Sequence, residues 1–386
     1  MKYNHISKIL KIPLKEQKQE EESMTKRISA VILALVLAMT LLAGCGSNKT
    51  QKETTNSVAT GKDDKETVKN NEDNKDNKDD NEASFTAEDA REYNIAMLKG
   101  PTAIGFIKAW DDSASTETND NNKYNVTVYG AADEITAGIV KGDIDIAAVP
   151  CNLASVLYNK TNGGIKVAAI NTLGVLYMIS TSDDISTVAD LKGKTIITTG
   201  QGTTPEYTLN YILEKNGLKP GEDVTIEYKS EATEVAAAMS EATDAVAMLP
   251  QPYVTTVLTQ NENMKIVLDM TKEWEKVSDG SLVTGVVIVR NEVLEENKVA
   301  FDKFLADYKE STEYVNENVD DAAALVEKYD IFKAAIAKKA IPYCNIKFES
   351  GDEMKSDISS YLNVLFDADA KAVGGKLPDD AFYYVN

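Results

Sequence analysis

Four short segments gather most of the groups that could hold a small molecule: Gly100-Pro101-Thr102, Pro150-Cys151-Asn152, Gly200-Gln201-Gly202-Thr203-Thr204-Pro205 and Pro250-Gln251-Pro252-Tyr253. Glycine lets a backbone approach a ligand, proline suits the first turn of a helix, and hydroxyl and carboxamide groups donate and accept hydrogen bonds. The candidate binding residues are therefore Gly100, Pro101, Thr102, Cys151, Asn152, Gln201, Gly202, Thr203, Thr204 and Gln251. Tyr177 is the favoured aromatic for covering a solute; Tyr207, Tyr253 and Trp274 are further candidates, and Trp110 reads as packing. The same residue types also make ordinary strand-to-helix turns and caps, so each segment taken singly has two readings.

Catalysis finds little to work with. The single histidine is His5, near the start of the chain, which removes Ser-His and Cys-His nucleophile pairs, an imidazole proton shuttle and histidine-based zinc sites. Cys151 and Cys344 follow Cys45 as the remaining thiols, too few for a metal motif; they are either both free or joined in one bridge, and free, partly buried thiols are favoured. Gly193-Lys194-Thr195 ends like a phosphate-binding loop, but Val188 stands where its first glycine belongs and a strand follows instead of a helix. No catalytic residue, metal ligand or cofactor is assigned. The net charge of −21 argues against nucleic acid as a partner without choosing a solute.

The candidate turns sit between short β-branched runs and helical stretches, the pattern of an α/β protein. Strands are expected at Tyr93–Lys99, Tyr124–Tyr129, Ile144–Val149 and Ile165–Ile170, and a second series at Thr195–Thr198, Val224–Tyr228, Ala245–Leu249 and Lys265–Leu268. A shift of 100 residues lays Ile135–Pro150 on Val235–Pro250 and Gly100 on Gly200, which supports two lobes of similar build. Val175–Ser180 and Leu282–Arg290 are extended apolar runs without helical partners; they read as crossovers between the lobes or as central strands of one larger sheet. The expected division is 85–180 plus 282–386 for lobe one and 181–281 for lobe two, with helices at Lys298–Val315 and Ala322–Lys328.

Residues 1–45 read as a secretion signal whose start is Met24: Lys26 and Arg27 precede an uncharged run from Ile28 to Gly44, which is shorter than a membrane span and ends on small residues at a cysteine. Leu42-Ala43-Gly44-Cys45 resembles the lipobox of bacterial lipoproteins, which implies lipidation of Cys45 and an anchor on the extracytoplasmic face of the membrane. Residues 46–84 hold seven lysines, ten acidic residues and no aromatic, the composition of a disordered tether.

Taken in order, the lipobox, the tether, Gly100-Pro101-Thr102, Ala148-Val149-Pro150, Asp190-Leu191-Lys192-Gly193-Lys194-Thr195 and Leu249-Pro250-Gln251-Pro252-Tyr253 resemble the type II periplasmic binding proteins, and most closely their nitrate, sulfonate, taurine and thiamine-pyrimidine receptors. The resemblance implies a two-lobed fold with two crossover hinge strands and a monomeric, non-catalytic receptor. It implies that a solute is handed to an ABC permease with its ATPase. By position, the turns at Gly100–Thr102, Cys151–Asn152 and Gly202–Thr204, and Gln251, would line the cleft. The chain departs from that pattern in one respect: after Arg27 its arginines are Arg91 and Arg290, neither of which supplies an obvious anion clamp. A receptor feeding a membrane sensor is an alternative, and an enzyme like the pyrimidine synthases of this fold is disfavoured by the missing histidine.

Overall fold

The computed structural model describes residues 85–115 and 121–385. The signal region, Cys45 and the tether 46–84 lie outside the described residues. Two sheets organise the described chain. The first is built from β1 (Glu92–Leu98), β2 (Lys123–Tyr129), β3 (Ile146–Pro150), β4 (Ile165–Thr172), β10 (Gly285–Arg290) and β11 (Ile346–Glu349), in the order β11-β4-β10-β3-β1-β2. The second holds β5 (Leu176–Ser180), β6 (Thr195–Thr198), β7 (Thr225–Tyr228), β8 (Val246–Pro250) and β9 (Lys265–Asp269), in the order β7-β6-β8-β5-β9.

Read from the β2 and β7 edges, the two orders match strand for strand: β2-β1-β3-β10-β4 against β7-β6-β8-β5-β9. In each, β1 or β6 runs parallel to both neighbours, while the fourth strand, β10 or β5, is antiparallel to the strands beside it. Those two strands are the apolar runs expected to be crossovers. Each enters its sheet on arrival from the other lobe, which is why it runs against its neighbours. The chain changes sheet between Thr172 and Leu176 and again between Glu275 and Gly285, so β5 belongs to the second sheet although the expected boundary at Ser180 left it with lobe one. The two passages are tied together where they meet, Thr284 N–H donating to the Thr172 carbonyl at 3.0 Å.

Helices follow most strands. In lobe one they are α1 (Pro101–Gly105), α2 (Ile107–Ser115), α3 (Ala132–Lys141) and α4 (Cys151–Lys160); in lobe two, α5 (Thr204–Lys215), α6 (Ala232–Ser240), α7 (Tyr253–Gln260) and α8 (Met270–Glu275). After β10 come α9 (Asn291–Glu296), α10 (Lys298–Glu317), α11 (Val319–Lys328), α12 (Ala334–Ala340) and α13 (Gly351–Ala368), which return to complete lobe one. None of the described helices is long and apolar enough to cross a membrane.

The strands that read as continuous apolar runs are buried on both faces, as β3 and β5 are throughout. One apolar cluster joins the lobes: it runs from Val149 and Leu157 through Tyr361 and Leu365 of α13 to Leu209 and Trp274. The segment around Asp190, one of those carrying the family resemblance, is structural. Its carboxylate accepts the Ser186 and Thr187 amides at 3.0 and 2.9 Å, a capping box for a short 3-10 turn ahead of β6, and these bonds hold the carboxyl down at about 2.

Candidate functional site

Where strands end and helices begin, the two lobes face each other across a cleft of about 580 Å³. Of the expected residues, Gly100, Pro101, Thr102, Gln201, Gly202, Thr203 and Thr204 line it. The turns that present them are tightly built. Gly100 opens α1 with φ of 145° and Gly200 leads into α5 with φ of 78°, conformations that side chains rarely take, and the two are related by the 100-residue repeat. The Thr102 hydroxyl donates to the Leu98 carbonyl and the Thr203 hydroxyl to the Gly200 carbonyl, both at 2.7 Å. From behind, Tyr308 of α10 donates to the Thr102 carbonyl at 3.1 Å and accepts from Asn171 at 3.0 Å, fixing the first turn against the core.

Four expected binding residues lie elsewhere. Asn152 is fully buried: its amide donates to the Ala372 carbonyl at 3.0 Å and the Gly202 carbonyl at 3.3 Å, and its oxygen accepts from the Thr204 hydroxyl at 3.3 Å. It ties lobe one to lobe two beside the cleft. Cys151, on the same helical turn, points into the core; it and Cys344 are free, and burial pushes both thiols up. Gln251 folds back to cap α7, accepting from the Thr255 amide and hydroxyl at 3.1 and 2.8 Å. Tyr177 is buried on β5, its hydroxyl donating to the Tyr343 carbonyl at 3.2 Å, and burial pushes its phenol up to about 12.

Other residues take their places. Tyr228 and Tyr253 are the aromatics of the cleft wall, and Tyr253 reaches across to the Lys99 carbonyl at 3.4 Å. The turns after the edge strands, Gly130–Asp133 and Tyr228–Ala232, also contribute, as do Thr172 and Thr284 at the crossovers. The repeat held the signal for the edge turns, since a shift of 100 residues lays Gly130 on Ser230 just after each expected edge strand. Trp110 stacks on Tyr329 with ring centroids 4.1 Å apart, the packing role expected of it. The C-terminal pair Tyr383 and Tyr384 bonds to Ser359 and Asp302.

Residues 125–322, which run from the first edge strand through lobe two and back, match the family described as NMT1/THI5 like. The chain belongs to this family. Solved structures are similar over most of the chain. A crystal structure of an ABC transporter from Parabacteroides distasonis is 25% identical, with a TM-score of 0.63 over 76% of this chain and 98% of that one. The periplasmic aliphatic sulphonate binding protein SsuA of Escherichia coli shares the fold with a TM-score of 0.62 at 15% identity, covering 76% of this chain and 92% of that one. The periplasmic nitrate-binding protein NrtA of Synechocystis does so with a TM-score of 0.55 at 13% identity, covering 74% and 84%. The fold is thus that of the two-lobed type II periplasmic binding proteins. Among curated proteins, one of Brucella abortus bearing the name "Putative binding protein" is 25% identical over 173 residues, 45% of this chain and 52% of its own. The chain spans about half the length of the curated relatives it matches.

Proposed function

We propose that this protein is the solute-binding lipoprotein of an ABC importer, which captures a small molecule between its lobes and delivers it to a membrane permease and its ATPase. The observation that carries the reading is the cleft itself: strand-to-helix turns from both lobes converge on one space, and both lobes hang on the paired crossovers at Thr172 and Thr284. A solute touching both walls favours the closed arrangement by its differential affinity for it. The matched solved structures are ABC-type and periplasmic binding proteins, which supports the same role. A binder fits the wall chemistry, because Thr102 and Thr203 spend their protons on backbone carbonyls and the described residues that line the cleft include no imidazole or thiol.

Native mass spectrometry of protein extracted from its own membranes tests the role. One intact small molecule per chain is expected, released unchanged on unfolding. A chemically converted product accumulating over many turnovers would move the protein to the enzymes. The anchor is tested separately: with Leu42-Ala43-Gly44 ahead of it, Cys45 is proposed to carry the lipid, so Cys45→Ala should shift the protein from washed membranes to the soluble fraction. Retention of the variant on membranes after a carbonate wash would contradict lipid anchoring.

A further inference from the structure

Many polar groups of the cleft wall are already committed, and their directions say what a ligand must bring. An oxyanion needs N–H and O–H donors aimed at it. Two backbone amides at the mouths of lobe-two helices are the natural donors, and both are taken by the protein's own carboxylates. Gly202 N–H donates to Glu206 ahead of α5, and Ser230 N–H donates to Glu234 ahead of α6 at 3.1 Å. Pro101 and Pro205 stand in the first turns of their helices without an N–H. Across the cleft α3 opens with Asp133 and Glu134, of which Asp133 lines the wall. Carboxylates thus occupy the amides at two helix mouths where a bound anion would otherwise sit, and a third helix carries acidic residues in its first turn.

The cations do not restore the balance. Among the described residues no arginine lines the cleft, and the two lysines that do are engaged: Lys229 Nζ lies 2.6 Å from Glu227, and Lys99 Nζ sits 5.6 Å from the centroid of the Phe332 ring. The hydroxyls point the same way. Thr102 and Thr203 each donate to a carbonyl at 2.7 Å, so what they can offer a ligand is an oxygen lone pair. At the crossovers the Thr172 and Thr284 hydroxyls are buried without a protein partner although both residues line the cleft, so each can donate to a ligand or accept from it. A buried hydroxyl without a partner is expensive unless a ligand supplies one.

We infer that the cleft selects a solute presenting N–H donors, an amine, amidine or amide, over a sulfonate, nitrate or carboxylate. This rests on the receptor reading and narrows it. The acceptor oxygens of Thr102 and Thr203 take the N–H groups, the carboxylates of Glu206, Glu234 and Asp133 favour positive polarity, and Tyr228 and Tyr253 cover an apolar face.

The test is calorimetric titration of the full-length, detergent-extracted protein, stripped of solute, with pairs of matched carbon skeleton such as benzamide and benzamidine against benzenesulfonate and benzoate. The amide or amidine of each pair should bind about tenfold or more tightly than its oxyanion. In Glu206→Gln/Glu234→Gln the gap should narrow several-fold, because the amides of Gly202 and Ser230 lose their charged acceptors. Tighter binding of a sulfonate, or a gap unmoved in the double variant, overturns the inference and leaves the receptor reading intact. Failure of every pair, together with the absence of any solute on the native protein, overturns both.

Discussion

Asn152→Ala should lower the melting temperature of the protein and weaken solute capture together, more than any substitution on the cleft wall. The carboxamide makes three bonds, to Ala372, Gly202 and Thr204, and is fully buried, so its removal strands two carbonyls and a hydroxyl away from water. Buried groups left without partners cost about 1–3 kcal/mol each, and partial relaxation brings the total to about 2–4 kcal/mol. In a protein of this size that is a loss of roughly 5 °C or more in thermal scanning. Thr204→Ala removes one of the three bonds and should cost only about 0.5–1.5 kcal/mol. A melting temperature for Asn152→Ala within a degree of the parent would show that Asn152 does not tie the lobes.

Trp274→Ala should be the most damaging single truncation in lobe two. The indole is fully buried between Tyr211 at 4.9 Å and Tyr361 at 5.4 Å, and its N–H donates to the Gly280 carbonyl at 2.8 Å. Emptying such a site costs about 3–5 kcal/mol. Because Tyr361 lies on α13, which completes lobe one, this contact also joins the two lobes. Besides unfolding at lower denaturant, the variant should show faster hydrogen exchange in both α8 and α13. Exchange confined to α8 would mean the ring stabilises lobe two alone and does not join the lobes.

The strand runs were legible because burial on both faces demands uninterrupted apolar residues, and eight expected strands fall on observed ones within one or two residues. What the sequence hid was pairing. Nothing in Val175–Ser180 or Leu282–Arg290 says that each strand slots antiparallel into the sheet of the lobe it enters, since its neighbours are met only in space. The site divides in the same way. Glycines and threonines at turns were found from local chemistry, because the backbone requires them there. Asn152 and Gln251 carried the same local signature and serve the protein instead: the partner of Asn152 is Ala372, 220 residues away, and Gln251 bends back onto Thr255. A polar side chain at a strand end looks the same in sequence whether it faces a ligand, the opposite lobe or its own helix. Tyr228 and Lys229 were missed because they end an edge strand, where polar and aromatic residues are ordinary.

A solute clamped between the lobes should draw them together on the crossovers at Thr172 and Thr284. Small-angle X-ray scattering on the protein with its native solute bound, and again after the solute is stripped by unfolding and refolding, measures this directly. The radius of gyration should be smaller with solute, rise on stripping and fall again when the solute is added back. Identical scattering curves in both states, with binding confirmed in the first, would contradict a closing cleft.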